Sequence, residues 1–167
     1  MKKILLILCS LSFIGCVEYK VNNDNGLVKS DNHFGTIEKD DIKSLAAQRF
    51  SKAYVENDLA SVADLFTEDA KIMINDSDLT FDQLVAGFSE GFKYYENIHH
   101  MDADTFTMHY DDGEVFTNYW YVWHGTNKKT KEELVVRGYS WMRWKDDKVF
   151  EMYNAFDPTA YNAGMTE

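Results

Sequence analysis

The order of hydrophobic periods in this 167-residue sequence predicts an α+β domain. Helical spacing occupies the first half and strand alternation the second, and paired Asp residues punctuate the strands as turn signals. An opening run of helices followed by consecutive strands packs as helices on one face of an antiparallel sheet.

The helical half starts at Asp40-Asp41. Ile42, Leu45, Ala46, Phe50, Ala53 and Tyr54 then recur at helical intervals to about Asn57, with the acids placed where a helix dipole favours them. A short helix is expected from Ala60 to Phe66, and a brief strand from Lys71 to Ile74. Thr80 reads as the N-cap of a helix from Phe81 to Tyr95, whose apolar face carries Leu84, Val85, Phe88 and Phe92.

Strands follow at about 98–110, 114–126, 133–145 and 148–157. Asp111-Asp112-Gly113 and Asp146-Asp147 are the hairpin signals, and Asn127–Lys131 joins the middle pair. Residues 39–160 suit one core, 161–167 read as a C-terminal tail, and aromatics at 15% of the chain supply ample material for that core.

The N-terminus carries a separate message. Lys2-Lys3 precede an apolar run from Ile4 to Ile14, then Gly15 and Cys16: a charged start, a short apolar stretch and a small residue before the cut. The run is too short for a spanning helix of about 20 residues. Phe13-Ile14-Gly15-Cys16 resembles the lipobox of bacterial lipoproteins. That resemblance implies a signal peptide over 1–15, a lipidated Cys16 and an anchor in the bacterial cell envelope. Residues 16–38, rich in Asn, Asp, Gly and Ser, read as a flexible tether. The residues after Cys16 carry no acidic run, so the expected orientation faces the periplasm.

Composition removes several chemistries. The chain has 17 Lys+Arg against 28 Asp+Glu and a formal net charge of −11, and loss of Lys2 and Lys3 makes it more acidic still. Nucleic acid is not an expected partner of such a surface. Cys9 and Cys16 are the two cysteines, so the processed domain has no thiol for a disulfide, a nucleophile or a metal. Phosphate-loop, nucleophile-elbow and His-Glu-x-x-His patterns are also missing from the sequence. His99, His100, His109 and His124 lie on the first hairpin near Asp102 and Asp104. Alternation sends His99 and His100 to opposite faces, so no metal and no cofactor is expected, and the histidines read as surface or hydrogen-bonding residues.

The segment WKDDKVFEMYNAFDP resembles the closing signature of the nuclear transport factor 2-like superfamily, and of its SnoaL-like proteins in particular. Lys148-Val149, Glu151 and Phe156-Asp157-Pro158 match it, with Asp147 in place of the turn Gly. Ala47-Gln48-Arg49-Phe50, Asn57-Asp58 and Leu65–Ala70 resemble the opening. The resemblance covers about residues 40–160. It implies a cone-shaped domain whose curved sheet and helices enclose a pocket, but no single reaction.

Residue by residue, the likeness places Asn154 where related hydrolases carry an acid, and Tyr119 and Tyr121 where that acid has charged partners. Tyr54 stands where an isomerase-type Tyr would serve, and reads equally as a core aromatic. Counting back from a two-residue turn at Asp146-Asp147, Tyr139 faces Asn154 and Trp141 faces Met152. Tyr54, Tyr119, Tyr121, Tyr139, Trp141 and Asn154 are therefore the candidate ligand-binding residues for a small, mostly apolar molecule. The Tyr139/Trp141 face reads equally as a homodimer surface. An acid–base enzyme using Tyr54 with Asp102 or Asp157 is the alternative.

Overall fold

Asp41 starts the first helix, α1 (Ile42–Val55), and its carboxylate accepts from the backbone N–H groups of Ser44 (2.9 Å) and Lys43 (3.4 Å). This computed structural model describes residues 34–166; the expected signal sequence, Cys16 and most of the tether lie outside the described residues. A 3-10 helix (Leu59–Leu65) follows α1 and buries Leu59, Val62 and Leu65. Thr80 and Gln83 form a reciprocal capping box at the start of α2 (Phe81–Gly91). The helix ends four residues earlier than its spacing predicts, because Tyr95 already belongs to the sheet.

The sheet has seven strands: β1 (Gly35–Glu38), β2 (Phe66–Ile74), β3 (Ser77–Leu79), β4 (Tyr95–Tyr110), β5 (Val115–Asn127), β6 (Glu133–Lys145) and β7 (Lys148–Phe156). Their spatial order is β1-β4-β5-β6-β7-β2-β3. The α+β architecture, with helices on a curved and mainly antiparallel sheet, is the one expected from sequence. β1, β3 and a short C-terminal helix were not expected, and the strand expected over Lys71–Ile74 is longer than its spacing predicts. β2 begins at Phe66 and runs parallel to β7, β1 pairs with the end of β4, and Thr159–Ala163 form a short helix, α3. All four residues of β1 are exposed, so this strand is held by main-chain pairing and leaves no hydrophobic alternation to read.

Two of the register shifts in the sheet bear on the site. Lys145 does face Lys148 across the Asp146-Asp147 turn, but β7 then gains a residue opposite the Arg143/Trp144 step. Ser140, not Tyr139, therefore faces Asn154, and Met142, not Trp141, faces Met152. In β4 a similar shift lies between Met101 and Asp104, where Asp102 adopts φ 48°. It brings His99 opposite His124 and places His100 opposite Trp123. Each bulge leaves two neighbouring residues against one partner, so side chains beyond it change faces.

One polar chain crosses the core. Trp144 Nε1 donates to Thr117 Oγ1 (2.8 Å), Thr117 and Thr107 share a hydrogen bond (2.9 Å), and Thr107 donates to the Asp41 carboxylate (2.8 Å). Ser44 joins at Thr107 (3.0 Å). Burial alone would raise the Asp41 carboxyl pKa, but hydrogen bonds from Ser44, Thr107 and Lys43 outweigh it and hold the group below the usual value. Thr107→Val keeps the shape and strips partners from Asp41, Ser44 and Thr117. It is expected to cost about 1–3 kcal/mol, read as a lower urea midpoint with an unchanged denaturant slope.

Candidate functional site

Between the concave sheet face and the two long helices lies a cavity of about 530 Å³. α1 contributes Phe50, Ser51 and Tyr54 to it, and α2 contributes Leu84 and Phe88. Tyr119, Tyr121 and Trp123 reach it as alternate residues of β5, with His100 on β4 and Met142, Met152 and Asn154 on β6 and β7. Tyr161 of α3 and the β2–β3 turn complete the lining.

Four of the six sequence candidates meet here: Tyr54, Tyr119, Tyr121 and Asn154. Tyr139 and Trp141 do not. On β6 they alternate with the cavity-lining Ser140 and Met142 and so lie on the outer face, where Tyr139 packs on Trp120 (centroids 4.2 Å) and Trp141 lies against Phe116 (5.7 Å) and Tyr153 (5.9 Å). The bulge in β7 puts Asn154 and Met152 on the other, inner face. The acids of the alternative reading also lie elsewhere. Asp102 is exposed on the β4 bulge, and Asp157 is exposed and caps the Thr159 N–H (2.9 Å). Asp76, exposed on the β2–β3 turn, is the acid among the lining residues.

The inner surface has hydroxyl, amide and imidazole tips on aromatic walls. Tyr121 donates to Asn154 Oδ1 (2.9 Å), and Trp123 Nε1 donates to the Tyr54 hydroxyl (2.7 Å). Gly138 stands opposite Tyr121, and a Cβ there would overlap the Tyr121 ring, so the ring occupies space that only glycine leaves. Burial pushes the Tyr121 and Tyr161 hydroxyls up to about 12 and raises Tyr54 and Tyr119 as well, so all four phenols are neutral near pH 7.

His100 is the residue that sequence reasoning undervalued. Its ring is stacked between Tyr121 (centroids 4.4 Å, planes 25°) and Tyr54 (5.6 Å, 24°). Nδ1 lies 2.8 Å from Ser51 Oγ and 3.0 Å from the Tyr119 hydroxyl, and those two oxygens are 2.6 Å apart. Two consecutive histidines signalled that one would face inward, but the bulge at Asp102 decided its neighbours. Ser51 and Trp123, which hold this arrangement, carried no signal beyond helical and strand spacing.

Glu38, Asp41 and His109 bring potential ligand atoms within 4.8 Å of one another at the far end of α1. Asp41 is already committed to the helix cap and Thr107, so this group has a structural role where it stands.

Burial, with a smaller contribution from His99, pushes the His100 imidazole down from 6.5 to about 4. Below pH 6.5 the unfolded chain takes a proton that the folded chain refuses until about pH 4. Stability is therefore expected to fall by roughly 3 kcal/mol as pH drops through that window. Urea midpoints taken from about pH 7.5 down to about pH 4 measure this loss, and His100→Gln should remove most of the slope.

The SnoaL-like domain family matches residues 47–152. A Catenulispora acidiphila protein with a ketosteroid isomerase-like fold, solved with trimethylamine, superposes with TM-score 0.53 at 15% identity, covering 72% of this chain and 91% of its own. Wild-type IdmH from Streptomyces antibioticus, described as a candidate polyketide cyclase, gives 0.56 at 14%, covering 75% and 99%. An NTF2-like protein of unknown function from Burkholderia pseudomallei gives 0.55 at 12%, covering 74% and 96%. Among curated proteins none matches this sequence. At such identities the solved structures establish the fold, and the family match establishes membership: this chain belongs to the SnoaL-like domain family.

Proposed function

We propose that this SnoaL-like domain binds a small, neutral, mostly apolar and ring-bearing molecule between its sheet and helices. The observation that carries the reading is a cavity of about 530 Å³ whose aromatic and Met walls end in neutral polar tips. That volume is in the range of small-molecule pockets, and such pockets combine apolar walls with a few polar groups that orient the ligand. The buried lining offers neutral phenols and no Lys or Arg, so a charged ligand would lose its hydration there without gaining a counter-charge, and an uncharged one is favoured. The N-terminal signal and Cys16 support a domain tethered to the bacterial envelope and facing the periplasm, so the ligand would be met outside the cytoplasm.

Two measurements test the two halves of this proposal. Titration with ring compounds of increasing size should quench tryptophan fluorescence saturably, through Trp123 in the wall. A Cβ added at Gly87 meets nothing within 4 Å, so Gly87→Leu should fold, narrow the cavity and weaken binding by about tenfold or more. Flat titrations across the whole series would remove the ligand-binding reading. For the anchor, metabolic labelling with an alkynyl fatty acid should tag the wild-type chain in a bacterial host, and Cys16→Ser should lose the tag and leave the membrane fraction.

A further inference from the structure

The arrangement around His100 says more about the ligand than the cavity's size does, and its meaning rests on the reading of that cavity as a binding site. Ser51 Oγ, the Tyr119 hydroxyl and His100 Nδ1 form a closed triangle of 2.6, 2.8 and 3.0 Å. Among the described residues, neither hydroxyl has a further hydrogen-bond partner.

The triangle determines where the imidazole proton sits. With Nδ1 bare, both hydroxyl protons are used: one hydroxyl donates to the other, and that one donates to Nδ1. If Nδ1 carried the proton, three donors would share two oxygens, and one buried hydroxyl proton would have no acceptor. Leaving a buried polar group unpaired is costly, so the satisfied arrangement puts the proton on Nε2. Nε2 is itself buried and has no hydrogen-bond partner among the described residues. A half-turn of the ring would keep both stacks but move Nδ1 away from the two hydroxyls, which hold it where it is.

A fixed, dry N–H donor on a residue lining an aromatic cavity calls for an acceptor that arrives with the ligand. A carboxylate ligand would enter with no cation among the lining residues to balance it. A neutral carbonyl oxygen meets both conditions. We propose that His100, as an Nε2–H imidazole, holds the carbonyl oxygen of a neutral, ring-bearing ketone or related carbonyl compound. Ser51 and Tyr119 act as positioning residues that set the tautomer.

The test compares each ketone with the hydrocarbon that has CH₂ in place of the carbonyl, on the full-length protein: acetophenone with ethylbenzene, α-tetralone with tetralin, anthrone with dihydroanthracene. The pair that fits should show the ketone binding about tenfold more tightly than its hydrocarbon. The bound carbonyl stretch should move to lower wavenumber, and nitrogen NMR of His100 should report the Nε2–H tautomer in the free protein. His100→Phe keeps a stacking ring and should erase the preference, while His100→Gln, which keeps an N–H near the Nε2 position, should retain much of it. Either hydroxyl alone still has Nδ1 as its acceptor, so Ser51→Ala should keep the preference, while Ser51→Ala combined with Tyr119→Phe should weaken it by releasing the tautomer.

Equal affinity for ketone and hydrocarbon, or a preference surviving in His100→Phe, overturns this assignment and leaves the binding cavity standing. An Nδ1–H tautomer in the wild-type spectrum overturns it even if the variants fail to fold. Failure of both members of every pair to bind overturns the cavity reading and this inference together.

Discussion

The interaction on which the rest depends is the hydrogen-bonded chain from Trp144 through Thr117 and Thr107 to Asp41. It joins three adjacent strands to the N-terminus of α1, and it ends on the carboxylate that also caps that helix. The donors run in one direction, toward the charged group able to accept several of them. Packing of Ala47 and Phe50 then continues the contact along the helix. A helix seated by polar geometry at one end has a defined rotation about its axis, and hydrophobic packing alone specifies rotation less sharply.

That rotation places Ser51 and Tyr54 about two and three turns beyond Ser44, over the part of the sheet where the cavity lies. The core and the cavity are thus two segments of one helix–sheet interface. Near Asp41 the gap is filled by Met142, Trp144, Val149 and Met152 with the aromatics of α1 and β2. Further along, Tyr54, Tyr121 and Trp123 spend their bulk on stacking and on one another's polar tips, and space remains between sheet and helices. α3 adds Tyr161, stacked on Tyr95 at 5.1 Å and edge-on to Trp123 at 5.5 Å, so the last helix belongs to the wall as well.

Neutrality is the site's second organising property. Burial suppresses ionisation of the phenols and of His100 alike, and hydrogen bonding then decides what each group offers. Asn154 accepts from Tyr121, the Tyr54 oxygen accepts from Trp123, and the Ser51/Tyr119 pair occupies Nδ1. His100 Nε2 is left over from this pairing. A network with one unpaired member marks where an external group can complete it.

Much of the architecture was legible in the chain. The helical spacing of Phe50, Ala53 and Tyr54, the Thr80 cap and the turn at Asp111–Gly113 are local patterns, and local backbone chemistry is enough to produce them. Tyr119, Tyr121 and Asn154 were reachable through the order of motifs along the chain. Tyr139, Trp141 and His100 were misjudged for one reason: a register count assumes one residue per partner, and the extra residues in β7 and near Asp102 are written in no local pattern. A bulge is stabilised by what both strands gain elsewhere in the fold, and its effect is to exchange inward for outward along everything beyond it. The sequence by itself determined the fold class, the order of elements and the acidic, thiol-free character of the domain. Only the tertiary structure decided which aromatic face lines the cavity and which histidine enters it, because those depend on long-range pairing that short-range periodicity does not record.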